Sequence, residues 1–167
     1  LDIYGDSMTV GSVPALQYYF PGVRIDARSN RLWKDGLAAV EASGTNIRRA
    51  VILDFGTNGG VDETALRETL RLLGPQRMVV LVNLHVNMAR TATDNAILAE
   101  VASENANVIV ADWNSAVTAE SGQLQPDGIH PSMTGQHLYA KVIRQALADL
   151  SERHTGRSIT LKPLPIP

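Results

Sequence analysis

Cysteine is missing from the chain. Its absence excludes a disulfide framework, a cysteine-based metal centre and a thiol nucleophile. Long apolar runs are missing as well: stretches such as Met78–Val82 are too short to span a bilayer. No block of like charge occurs, and 15 Lys+Arg stand against 17 Asp+Glu. A nucleic-acid binder that works by neutralising phosphates is therefore disfavoured. Histidines and carboxylates do not cluster at metal-ligand spacing, and no metal or cofactor is expected. What remains is an ordinary globular balance, 44% apolar and 19% charged over 167 residues. One domain of this size buries roughly 70% of the surface that its unfolded chain exposes. There is no internal repeat and no low-complexity core segment.

Runs of aliphatic and β-branched residues recur and alternate with segments of helical spacing. Leu1–Tyr4, Val23–Ala27, Ala50–Phe55, Arg77–Leu84 and Asn107–Ala111 are the five predicted strands. Val51-Ile52-Leu53, Met78–Val82 and Val108-Ile109-Val110 are continuously apolar, as strands covered on both faces are. Helical stripes follow at Leu66/Leu70/Leu73, at Leu98/Val101/Ala102 and at Leu138/Val142/Ala146/Leu147/Leu150. The pattern predicts an α/β fold of three layers, helix–sheet–helix, around a parallel sheet. Chemistry in such folds belongs on the loops beyond the carboxyl ends of the strands. A domain over 1–150 is expected, with a tail over 151–167 rich in proline. The tail reads either as an extended end or as a strap, because Ile159, Leu161, Leu164 and Ile166 alternate with polar residues or proline.

Three strand-end segments carry candidate chemistry. Gly5-Asp6-Ser7-Met8 closes the first strand. A serine there presents its hydroxyl at the sheet edge, near a helix N-terminus that favours an oxyanion; the plainer reading is that Ser7 caps the helix. Gly56-Thr57-Asn58-Gly59-Gly60 follows the central strand, and the Asn58 amide could donate to an oxyanion. It lacks the spacing of a phosphate-binding loop. Asp127-Gly128-Ile129-His130-Pro131 places a carboxylate three positions before an imidazole, the pair that activates a serine. Its plainer reading is a Pro-Asp-Gly turn, with Ser132 or Thr134 capping the next helix.

Together these segments resemble the SGNH (GDSL-type) hydrolase superfamily from Leu1 to about Leu150. The resemblance implies a flavodoxin-like α/β/α fold with Ser7 as nucleophile, His130 as base, Asp127 as its orienting partner and Asn58 as an oxyanion donor. Ile25–Arg31, Gly56–Gly59 and Ala111-Asp112-Trp113 further resemble the extracytoplasmic domain of OatA-type peptidoglycan O-acetyltransferases. From that narrower likeness come the Ser7 amide and a backbone N–H at Ser29 or Asn30 as further oxyanion donors. Arg31, Asp112 and Trp113 become candidate substrate contacts. Asn30 departs from the pattern, which commonly has glycine there, and is expected to narrow the site or change the donor. His85 is a possible border residue but more readily structural, Trp33 equally suits packing, and His137 and His154 have no role.

The function implied is transfer of acetyl groups to muramoyl C6 hydroxyls through an acetyl-serine. Acetyl donor and cell-wall glycan would be its partners, together with a membrane acyltransferase domain in the same full-length chain. The start at Leu1, already in a strand, is expected for a domain cut from the outer side of such a protein. An acetylesterase of the same superfamily uses the same residues. A non-catalytic glycan-binding domain is the rival of another class, disfavoured by the complete set Ser7, Asn58, Asp127 and His130.

Overall fold

Each predicted strand forms, though most are shorter than the apolar run that announces them. The computed structural model, which describes residues 1–165, has β1 (Asp2–Gly5), β2 (Arg24–Ala27), β3 (Ala50–Asp54), β4 (Met78–Val82) and β5 (Val108–Ala111). They make one sheet in the order β2-β1-β3-β4-β5, and every pairing is parallel. Parallel neighbours need crossovers, and the helices supply them. These are α1 (Ser7–Tyr19), α2 (Trp33–Ser43), α3 (Glu63–Leu73), α4 (Thr91–Ser103), α5 (Trp113–Ala119) and α6 (Met133–Thr155).

Successive strand residues point to opposite faces, and the core divides accordingly. Ile3, Ile52 and Val80 face Leu16 of α1, Trp113 of α5, and Tyr139 and Ile143 of α6. Val51, Leu53, Val79 and Leu81 face Val40 of α2, Leu66 and Leu73 of α3, and Leu98 of α4. This is the three-layer α/β/α arrangement. The leucine stripes lie on α3, α4 and α6, as their spacing predicts. Helix α2 carries a less legible stripe, Trp33/Gly36/Val40. Its glycine is required by packing: a Cβ there would lie 2.5 Å from the Phe55 ring.

Helix α6 begins at a Ser132 cap, whose Oγ accepts from Gly135 N at 3.1 Å. It continues to Thr155, beyond the expected boundary at Leu150. The chain then runs back without regular structure. Arg144 Nη1 donates to Lys162 O at 3.0 Å, Tyr18 Oη donates to Pro165 O, and Leu164 packs on the core. Ile166 and Pro167 lie outside the described residues. Among the described residues no helix is long and apolar enough to cross a membrane.

Strand order reverses at β1 and β3, so a crevice opens beyond their carboxyl ends. Because β3 carries both faces of the core, Leu53→Ala, at a fully buried site, is expected to lower stability by about 2–5 kcal/mol. Urea unfolding should show it, while Met133→Ala, at an 85% exposed position, stays within about 0.5 kcal/mol.

Candidate active site

The crevice is built where β1 meets α1. Gly5 ends the strand against the side chain of Thr9, one helical turn on. A Cβ at Gly5 would lie 2.0 Å from Thr9 Oγ1, so no larger residue fits. Asp6, not Ser7, caps α1: its Oδ1 accepts from Met8 N at 2.9 Å. The plainer reading of Ser7 as a cap is thereby corrected. Ser7 is the first helical residue, and its hydroxyl is free to face outward.

The loop before α6 meets it there. An isolated bridge pairs Leu124 with Pro131, and Gln125 N donates to His130 O at 2.8 Å. Asp127 Oδ1 accepts from the Ile129 and His130 amides at 2.9 and 3.0 Å, folding the loop over its own carboxylate. Asp127 Oδ2 lies 2.7 Å from His130 Nδ1, and His130 Nε2 lies 2.9 Å from Ser7 Oγ. The His130 ring and the two amides hold the Asp127 carboxyl down at about 2. It therefore stays ionised through neutral pH and accepts from Nδ1–H, which leaves Nε2 as the acceptor facing Ser7.

The Gly56–Gly60 loop brings Asn58 to the same crevice. Asn58 Nδ2 lies 3.5 Å from Asp6 Oδ2, at the outer limit of hydrogen bonding. Beside it a cleft of about 200 Å³ is lined by Leu32, Trp33, Lys34, Asn58, Gly59, Gly60 and Asp62. Roomier clefts, such as that of about 330 Å³ at Asp2, Arg24 and Asn46 and that of about 440 Å³ at Arg49, Ser151 and His154, are lined by neither Ser7 nor His130.

After β2, Arg28 N donates to Gly5 O at 3.2 Å and Arg31 N to Arg28 O at 3.3 Å. The turn over Ser29 and Asn30 has φ 61° at Asn30. That left-handed conformation explains both the pattern's glycine and this chain's asparagine, the side chain that best tolerates it after glycine. Asn30 is exposed, so the expected narrowing does not follow.

The candidate substrate contacts differ in access: Asp112 stays exposed, whereas Arg31 and Trp113 do not. Arg31 is turned inward and 8% exposed; its guanidinium donates to Asp26 O and Asp26 Oδ1 at 2.8 and 2.7 Å, stapling the turn. Trp113 is 1% exposed and packs edge-on against Tyr139, so it offers no face to a sugar. Asp112 caps α5, accepting at Oδ1 from Ser115 N and Asn83 Nδ2. His85 pairs with Asn114, Nδ1 to Oδ1 at 2.9 Å. Trp33 packs on Phe55 in the core.

A buried acidic pair behind Ser7 escaped sequence reasoning. Asp6 is 0% and Asp54 2% exposed, and Thr9 Oγ1 donates to Asp54 Oδ2 at 2.5 Å. A legible signal was Asp54 itself, a charge ending a continuously apolar strand. Burial, then the charge of Asp54, push the Asp6 carboxyl up to about 8, and burial raises Asp54 as well. An acid whose folded value is raised loses stability as pH climbs from its unfolded value toward the folded one. Asp6→Asn removes that loss. Its Tm gain over wild type should grow from about pH 3.8 to about pH 8 and then level off. A gain that shrinks across this window contradicts the raised value.

No family model matches the chain. Peptidoglycan O-acetyltransferase OatA of Listeria monocytogenes is 29% identical over 147 residues, 86% of this chain. The chain spans 23% of that relative's length, and 22% of the first curated relatives it matches. The C-terminal catalytic domain of Streptococcus pneumoniae peptidoglycan O-acetyltransferase A, solved with a methylsulfonyl adduct, superposes with a TM-score of 0.80. It is 21% identical, and the match covers 90% of this chain and 93% of that one. A member of the lipolytic G-D-S-L family from Veillonella parvula gives 0.70 at 18% identity, covering 86% and 95%. The chain has the fold of SGNH (GDSL-type) hydrolases and is similar over most of its own length to O-acetyltransferases of the OatA type.

Proposed function

We propose that this domain is a serine-dependent O-acetyltransferase that moves acetyl groups to muramoyl C6 hydroxyls of cell-wall glycan. The observation that carries the reading is the unbroken line Asp127–His130–Ser7, at 2.7 and 2.9 Å, beyond the carboxyl ends of β1 and β3. His130 Nε2 takes the Ser7 proton as Oγ attacks the acetyl carbonyl carbon, and Asp127 stabilises the imidazolium. The oxyanion is met by Asn58 Nδ2–H, by the Ser7 amide and by a backbone N–H at Ser29 or Asn30. Collapse breaks the bond to the donor oxygen, which leaves with the proton from His130. The acceptor hydroxyl then gives its proton to His130 and attacks the acetyl-serine; the acetyl–Oγ bond breaks, and Ser7 Oγ takes that proton back from His130. Residues 1–155, through the end of α6, form the catalytic unit, and the segment that follows is a tail. The donor would be supplied by a membrane acyltransferase domain of the same full-length protein, with this domain on the outer side.

The second reading, an acetylesterase, is favoured by the openness of the base: the His130 side chain is 32% and that of Asp127 44% exposed, so water reaches the same position. Ser7→Ala and His130→Ala are each expected to lower ester turnover by at least about 10³-fold. An acetyl ester incubated with a muramoyl oligosaccharide should give acetylated glycan in proportion to acceptor. Free acetate alone at every acceptor concentration overturns the transferase reading and leaves the esterase.

A further inference from the structure

The acyl-transfer steps above leave the buried carboxyl of Asp6 without a task. Every polar group of this residue is nevertheless engaged. Its N–H donates to Asp54 O at 3.0 Å and its carbonyl accepts from Val10 N at 3.1 Å. Oδ1 accepts from Met8 N at 2.9 Å, and Oδ2 lies 3.5 Å from Asn58 Nδ2. A side chain with no exposed surface and this many partners has one available orientation.

We propose that Asp6 is a positioning residue, whose carboxyl ties the Asn58 carboxamide to the first turn of α1 and so sets two oxyanion donors relative to each other. The inference rests on Asn58 being such a donor. A primary amide has two N–H groups in one plane. Holding one of them on Asp6 fixes that plane and leaves the other for the substrate oxygen. The Ser7 amide belongs to the same helical turn that Asp6 caps, so one side chain orients both.

Charge suits this arrangement. Asp54 faces Asp6 from β3 and the buried Tyr139 phenol faces both from α6; Asp54 and burial each favour the neutral Asp6 carboxyl. A fully ionised pair beside a developing oxyanion would oppose it, most strongly in a site shielded from water. Thr9, one turn along α1, holds Asp54 in place from below.

Asp6→Asn separates positioning from folding. Asparagine caps a helix as well as aspartate does, but it has one acceptor oxygen where the carboxyl has two. With an acetyl ester and the full chain, kcat should fall about tenfold or more with KM nearly constant, and Tm should not drop. In an Asn58→Ala background the same substitution should cost nothing further, because the donor it positions is gone. The Asn58 side-chain amide resonance should also move on Asp6→Asn, whether or not any ester is turned over. Unchanged kcat, or the full loss persisting in the Asn58→Ala background, overturns the inference, and so does a stationary amide resonance. If the wild type hydrolyses no ester, the proposed function fails, and the amide resonance still decides the role of Asp6.

Discussion

The row of paired residues Ala27–Gly5–Asp54 is the constraint on which the site depends. Parallel register brings three strands to an end at one level. The residues just beyond them, Ser29–Asn30, Asp6–Ser7 and Asn58, therefore emerge around a single crevice. A one-residue slip in a parallel pair would turn each side chain to the opposite face, and the two cores on either side of the sheet forbid it. The fourth element arrives from elsewhere. Helix α6 packs on the same face of the sheet as α1, and the loop that enters it carries Asp127 and His130 to Ser7.

The electrostatics are layered. At the surface, Asp127 is an ionised carboxylate, lowered by the hydrogen bonds of its own loop, and it orients the imidazole. Beneath Ser7, the Asp6 carboxyl is raised by burial and by the charge of Asp54, and the Asp54 carboxyl is raised by burial. In the proposed acyl transfer, one acid stays charged beside the imidazolium and another, Asp6, stays neutral near the oxyanion. The same residue type serves both because environment, not identity, sets its charge.

The sheet was legible because Val51-Ile52-Leu53 and Met78–Val82 are apolar at every position, which only strands covered on both faces require. The serine, asparagine and histidine segments were legible because each follows a strand and contains turn-forming residues. Which way a side chain points was not legible. Trp113 and Asp112 are adjacent, yet the capping geometry of Asp112 rotates Trp113 into the core. Arg31 looked available for substrate, but Asp26, five residues earlier and half-exposed, holds it. In the sequence Asp6 belongs to a motif and does not show itself as a buried acid, since nothing in its neighbours announces Asp54, 48 positions away. Asn30 shows the converse: a departure in sequence that becomes ordinary once its φ of 61° is known.

The acyl-enzyme is the species that every step proposed here passes through. Rapid quench of the wild type with an activated acetyl ester, followed by peptide mass mapping, detects it directly. One acetyl group on the peptide containing Ser7, absent in Ser7→Ala, is the expected result. Turnover of the ester with no acetylated peptide, or with the acetyl group on another residue, would contradict Ser7 as the nucleophile.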